Sequence, residues 1–188
     1  MIDKLKRQQN KLLMSERHEA WETVARKLAH EIKNPLTPIQ LTIDNNLVRT
    51  SPGVSVLSKD KLTTGEIASE KVKIFPRWTN NRFWSQLNTN TLQNGTEQVR
   101  HHADIAFAHL ESLWLPLNQK IEAAIFVVPS YYKTEELSLL LGIARECGIP
   151  VKGFVDHSII AASHIPARAK ILHLDLHLHS FSLTQMSN

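Results

Sequence analysis

The chain has 188 residues, 42% of them hydrophobic and 21% charged, which suits one folded domain with or without a helical extension and excludes fibrous and wholly disordered classes. Its formal net charge of +4 is not arranged as a basic stripe interleaved with aromatic residues, so we expect no nucleic-acid partner. No apolar run approaches the roughly 20 residues that cross a bilayer, so we expect no membrane segment and a cytoplasmic location. The single cysteine, Cys147, excludes an internal disulfide and a thiolate metal centre.

The first predicted element is a long amphipathic helix at the N-terminus. Its apolar residues recur at intervals of three or four and form one stripe along an α-helix; they are Trp21, Val24, Leu28, Ile32, Leu36, Ile39 and Ile43. A stripe of this length needs a partner helix, and we expect a homodimer through it. No glycine precedes residue 44, whereas turn-forming residues and short β-like runs follow it, so we divide the chain into residues 1–43 and 44–188.

His30 lies about half a turn away from this stripe, with Asn34 near it on the outward face. Pro35 removes the backbone donor that would reach the carbonyl of Glu31, so the helix should loosen just beyond the histidine. A lone histidine at such a position is most often a plain surface residue. The residues that surround this one favour a functional interpretation.

The eight residues from His30 to Thr37 (HEIKNPLT) resemble the H-box, the phosphoacceptor motif in the dimerisation helix of sensor histidine kinases. The wider stretch over residues 15–41 is similar to the nitrogen-regulation (NtrY-like) sensor kinases in particular. The resemblance implies that His30 accepts a phosphoryl group on one ring nitrogen, that Glu31 polarises the other as general base, and that Asn34 positions the phosphoryl group or water. A neutral imidazole is a usable nucleophile near pH 7.

The pattern of this family stops after Ile43. Neither the second helix of the dimerisation hairpin nor the asparagine and glycine-rich motifs of the ATP-binding domain follow in the sequence. We therefore expect a phosphoacceptor and dimerisation segment without a catalytic domain of its own, inactive alone as a kinase and phosphorylated in trans. Its partners would be a kinase catalytic domain, which supplies ATP, and a response regulator.

The second part, residues 44–188, is predicted to alternate strands and helices. Buried strands are expected at 121–128 and 149–155, a strand or hairpin at 170–184, and helices at 134–147 and around 158–164. Such alternation indicates an α/β fold, in which we expect the three strand segments to lie in one sheet.

This part resembles the ATPase domain shared by actin and the seventy-kilodalton heat-shock chaperones, and the resemblance implies an incomplete ribonuclease-H-like α/β lobe. It spans residues 47–185 and is best at 127–132 and 148–162. It implies that Asp156 is the acid beside the attacking water and that Asp175 begins the turn that cradles phosphates. That turn lacks the glycines that let backbone amides approach a phosphate, and the first phosphate loop of the family is missing. We therefore expect no bound ATP, unless the lobe functions without these two features.

Three histidines near the C-terminus, His173, His177 and His179, occupy alternate positions. If the segment is a strand, all three lie on one face, which zinc could accept. A half-exposed strand face without a fixed acid is the commoner outcome of such a pattern, and we expect no metal.

Three functions stay open at this point. The chain could be a signalling segment that carries a phosphoacceptor, a truncated actin-like or chaperone-like ATPase, or a fusion of two unrelated gene pieces with no joint function. The abrupt change of pattern between Thr42 and Asp44 favours the fusion, whereas the intact H-box favours the signalling segment.

Overall fold

The computed structural model describes residues 39–43, 46–117, 121–163, 171–176 and 181–186. The chain divides into two units between Pro35 and Leu36, and every described residue belongs to the second unit. Most of the predicted N-terminal helix lies outside the described residues, and so do His30, Glu31 and Asn34. These expectations stay predictions.

The first described element is an antiparallel hairpin of β1 (Ile39–Ile43) and β2 (Asn46–Ser51), with a bulge between Leu41 and Thr42. The expectation that the N-terminal helix extends to Ile43 is therefore wrong for residues 39–43. Ile39 and Ile43 are four residues apart, a spacing that fits the helical and the strand period alike. Leu41 between them is half-buried as they are, and its polar neighbours are exposed, which completes a strand alternation. The predicted boundary between residues 43 and 44 falls within this hairpin.

A three-stranded antiparallel sheet follows, formed by β3 (Ser55–Ser58), β4 (Lys61–Thr64) and β5 (Thr79–Asn80) in the order β4-β3-β5. The β3–β4 turn consists of Lys59 and Asp60, both at positive φ (49° and 62°), as in the two-residue turns that match the twist of a hairpin. Helix α1 (Gly65–Lys71) begins directly after β4, and a 3₁₀ turn (Pro76–Trp78) leads into β5. Val54, Val56 and Ala68 form a small core beneath this sheet.

The larger core surrounds a strand-helix-strand unit. Strands β6 (Ala124–Val128) and β7 (Val151–Asp156) are parallel and joined through α3 (Thr134–Glu146), which packs against α2 (His102–Trp114). The strands expected at 121–128 and 149–155 and the helix expected at 134–147 are thus confirmed, although the strands begin only at Ala124 and Val151. The buried side chains of this core include Phe83, Leu87, Val99, Ile105, Ala106, Leu110, Val128, Leu140, Ile143, Ala144 and Ile149.

The last described elements are α4 (His157–Ala162) and a hairpin of β8 (Ile171–Leu176) and β9 (Phe181–Met186). Among the described strands, β8 and β9 pair only with each other, so the expectation of one sheet shared with β6 and β7 is wrong. The sequence at 170–184 alternates apolar and polar residues, which is typical of an antiparallel pair with one solvated face, whereas strands of parallel sheets are apolar on both faces. Leu172, Leu174 and Leu183 are exposed, however, so the face of this hairpin that is open among the described residues is the apolar one.

The described part of the chain is therefore a mixed α/β structure with small sheets and four short helices. Its helices all fall short of the length and apolar character that a bilayer-crossing segment requires.

Candidate functional site

Asp156 is the one residue of the predicted sites whose side chain the structure describes. It is the last residue of β7, opposite Val128 at the end of β6, so it lies at the carboxyl edge of the parallel pair, where α/β proteins bind ligands. Its Oδ1 accepts three hydrogen bonds, from Ser130 Oγ (2.7 Å), Ser158 N (2.7 Å) and Ser158 Oγ (2.6 Å). The carboxylate thus caps α4 and ties it to the turn that follows β6.

The electrostatics of Asp156 follow from these contacts. Partial burial raises the pKa of the carboxyl, but the hydrogen bonds from Ser158 and Ser130, together with His157, outweigh it and hold the pKa below its ordinary value. The group is ionised and held in one orientation at neutral pH. The two hydrogen bonds from Ser158 cap α4 and the one from Ser130 ties the carboxylate to the turn after β6, so the geometry by itself assigns Asp156 a structural role.

The other predicted residues of this part are only partly described. Asp175 lies in β8, where it pairs with Ser182 of β9. His157 packs its ring edge-on against His173, with 5.6 Å between the centroids. His177 and His179 lie outside the described residues. Within the described ranges, no three His, Cys, Asp or Glu side chains gather as metal ligands would.

A buried polar cluster that the sequence analysis missed joins three distant segments. His109 in α2 is 0% exposed, and its Nε2 lies 2.8 Å from Ser51 Oγ, at the end of β2. The indole Nε1 of Trp84 donates a hydrogen bond to His109 Nδ1 at 3.0 Å. We call Ser51, Trp84 and His109 the His109 cluster. None of the three lies in a recognisable motif, and the spacings of 58 and 25 residues carry no periodic signal, which is why the sequence did not indicate it.

The protonation state of the His109 cluster decides what it can do. An indole N–H can only donate, so Nδ1 is the acceptor, and the neutral ring carries its proton on Nε2, which donates to Ser51 Oγ. A serine nucleophile would need the opposite arrangement, in which Nε2 accepts the hydroxyl proton. Burial lowers the pKa of His109 to about 4, so the ring is neutral at pH 7. The cluster is thus a satisfied polar contact of the core rather than a catalytic pair.

Gly65 makes this cluster possible. Its φ is +64°, and a Cβ at this position would lie 2.5 Å from Ser51 Oγ and 3.5 Å from His109 Nε2. Only glycine offers both the left-handed backbone and the room.

Comparison with known proteins places the similarity in the N-terminal region. An NtrY-like sensor histidine kinase of Rickettsia felis is 52% identical over 54 residues, and one of Rickettsia typhi is 49% identical over 61 residues. The nitrogen regulation protein NtrY of Azorhizobium caulinodans is 61% identical over 33 residues. No family model matches the chain.

These matches are short relative to the proteins concerned. They cover 29%, 32% and 18% of this chain, but only 9%, 10% and 4% of the three relatives. The chain thus matches about a tenth or less of the length of these relatives. The N-terminal region is similar to NtrY-like sensor histidine kinases, whereas the resemblance of residues 47–185 to actin and the chaperones gains no support from the comparisons.

Proposed function

We propose that the N-terminal region is the phosphoacceptor and dimerisation segment of a two-component sensor histidine kinase. The observation that carries the proposal is the H-box sequence from His30 to Thr37, in a region about 50% identical to NtrY-like sensor histidine kinases. A match of this length in a short polar segment is hard to obtain from helix-forming composition alone.

In the proposed reaction a neutral ring nitrogen of His30 attacks the γ-phosphorus of ATP held by a catalytic domain. A bond from nitrogen to phosphorus forms as the bond to the bridging oxygen breaks and ADP leaves. Glu31, as general base, accepts the proton of the other ring nitrogen, so the phosphorylated ring is left neutral, and Asn34, one turn further on, positions the phosphoryl group. The phosphoryl group then passes to an aspartate of a response regulator.

Dimerisation is assigned to the apolar stripe of the same segment. Val24, Leu28 and Ile32 fall on one side of the proposed helix and His30 on the other. In this arrangement a second copy covers the apolar side and leaves His30 accessible to a catalytic domain acting in trans.

Phosphotransfer in trans tests this function. The full chain is incubated with radiolabelled ATP and the purified catalytic domain of an NtrY-like kinase. We expect label that is stable to base and lost in acid, as in phosphohistidine, and no label without the catalytic domain. The His30→Gln variant should lose the label, and His18→Gln, the matched change at another histidine of the segment, should keep it. Persistent label in His30→Gln would place the phosphoacceptor elsewhere and contradict the proposal.

A further inference from the structure

A cleft of about 540 Å³ opens beside the three-stranded sheet, away from Asp156 and outside the N-terminal region. It is bordered by β3, the 3₁₀ turn, β5, the loop at 81–101 and the first turn of α2. Leu57 and Ile105 form its floor and are only 8% and 2% exposed, since both belong to the larger core. The floor is therefore held in place by core packing, and the volume is that of a small-molecule site.

The charge of this cleft is entirely positive. Arg77 and Arg82 line it and are exposed, and none of the lining residues is an Asp or Glu. Neither arginine forms a salt bridge with any residue that the structure describes. Over the whole sequence acids nearly balance bases, 18 against 22, so two guanidinium groups without a carboxylate are a local excess. A planar guanidinium binds phosphate through two parallel hydrogen bonds.

The remaining polar lining consists mainly of carboxamides, contributed by Asn80, Gln86, Asn88, Asn90, Gln93 and Asn94. Two of them shape the loop. Asn80 Oδ1 accepts from the backbone N–H of Arg82 (2.9 Å), and Asn88 Oδ1 accepts from the backbone N–H of Asn90 (3.0 Å) while Asn88 Nδ2 donates to the Gln86 carbonyl (2.8 Å). A carboxamide offers donors and an acceptor together, which suits sugar hydroxyls, since each hydroxyl also donates and accepts.

Two rings complete the cleft. The Trp78 side chain is 49% exposed and offers an apolar face of the size of a sugar ring. His102 Nδ1 lies 2.8 Å from the Gln86 carbonyl, which can only accept, so Nε2 of the neutral ring is an acceptor. Asparagine is common in turns for local reasons alone. Three features distinguish this cleft from an ordinary polar turn. They are the buried floor, the two arginines without a neighbouring carboxylate and the exposed indole.

We propose that this cleft binds a monosaccharide phosphate, with Arg77 and Arg82 on the phosphate, the carboxamides on the hydroxyls and Trp78 against the ring. This site is independent of the proposed phosphoacceptor function, which involves a different unit of the chain.

Titration calorimetry of the full chain tests the proposal with ribose 5-phosphate and galactose 1-phosphate, which present a five- and a six-membered ring. We expect at least one of them to bind, and ribose, galactose and inorganic phosphate each to bind at least about tenfold more weakly. Arg77→Gln and Arg82→Gln should each weaken binding by about tenfold or more. Arg145→Gln, the same change of charge at an exposed position on α3, should leave binding unaltered.

Each other outcome overturns the proposal. Inorganic phosphate binding as tightly as the sugar phosphates would reduce the cleft to an anion site. Equal binding to wild type and to Arg82→Gln would place the ligand elsewhere. Absence of binding by both sugar phosphates at millimolar concentration, with a far-UV spectrum that shows a folded chain, would leave the cleft without this function.

Discussion

The ring of His109 is buried and neutral, so the second unit should become less stable as the pH falls. Its pKa is about 4 in the folded chain and about 6.5 in an unfolded one, so between these values the unfolded state binds more protons. The contribution of His109 is therefore complete above about pH 6.5 and is lost as the pH falls towards 4. We expect the free energy of unfolding to decrease by about 3 kcal/mol over this range through this residue alone.

Urea unfolding at a series of pH values measures the effect. The His109→Gln variant should be less stable at pH 7 and should show a shallower slope between pH 6.5 and 4. His157→Gln serves as control, because His157 is exposed and the slope should survive there. An equal slope in wild type and His109→Gln would assign the acid sensitivity to other groups.

Substitution of Gly65 and Gly142 by alanine tests how the backbone conformation and the room for a Cβ atom affect stability. Gly65→Ala places a Cβ 2.5 Å from Ser51 Oγ at a φ of +64°, and we expect a loss of about 2 kcal/mol or more as the His109 cluster is pushed apart. Gly142 is exposed within α3, where an added Cβ meets no atom within 4 Å, so Gly142→Ala should gain about 0.5–1 kcal/mol. Thermal unfolding of both variants checks this, and a neutral Gly65→Ala would contradict the role given to the glycine.

At the scale of elements, Asp156 joins β6, β7 and α4 through one carboxylate oxygen. Asp156→Ala removes all three hydrogen bonds and leaves Ser158, which is 1% exposed, without its acceptor, so we expect a loss of about 1–3 kcal/mol. Since the folded pKa of Asp156 is depressed, its contribution is present above about pH 4 and is lost as the pH falls below that value. Glu122→Ala, at an exposed carboxylate, should change the midpoint of denaturant unfolding little, and a similar loss in both variants would argue against the cap.

The elements that the sequence predicted are those whose pattern is unambiguous. The apolar run at 121–128 and the helix from Thr134 are bounded by proline or glycine and lie where expected. Ile39 and Ile43 were assigned to the helix because a spacing of four residues fits the helical and the strand period alike. The strand β8 was assigned to the wrong sheet because an alternating pattern does not show which strand it pairs with. Asp156 was singled out by resemblance and is found as a helix cap. Ser51, Trp84 and His109 could not be predicted, since nothing local brings three distant segments together.

At the scale of the whole molecule, the division at residue 35 separates the proposed phosphoacceptor from every described element. We expect residues 36–188 alone to fold with one cooperative urea transition and to remain unlabelled in the phosphotransfer assay, because His30 is absent. A chain that starts at residue 52 should lose the transition, since it lacks β1, β2 and the Ser51 contact to His109. Circular dichroism during urea titration compares the two, and a non-cooperative 36–188 would show that the first unit is needed for folding.

The residues of the His109 cluster are far apart in the sequence, and this separation bears on when their contacts form during folding. The β3–β4 turn and the helices close short loops, which takes microseconds or less, whereas the contacts of His109 to Ser51 and Trp84 close loops of 58 and 25 residues. We expect these contacts to form after the transition state, and contacts that form late slow unfolding more than they speed folding. The cluster therefore acts on the lifetime of the native state, and each global opening of the unit has to break it early.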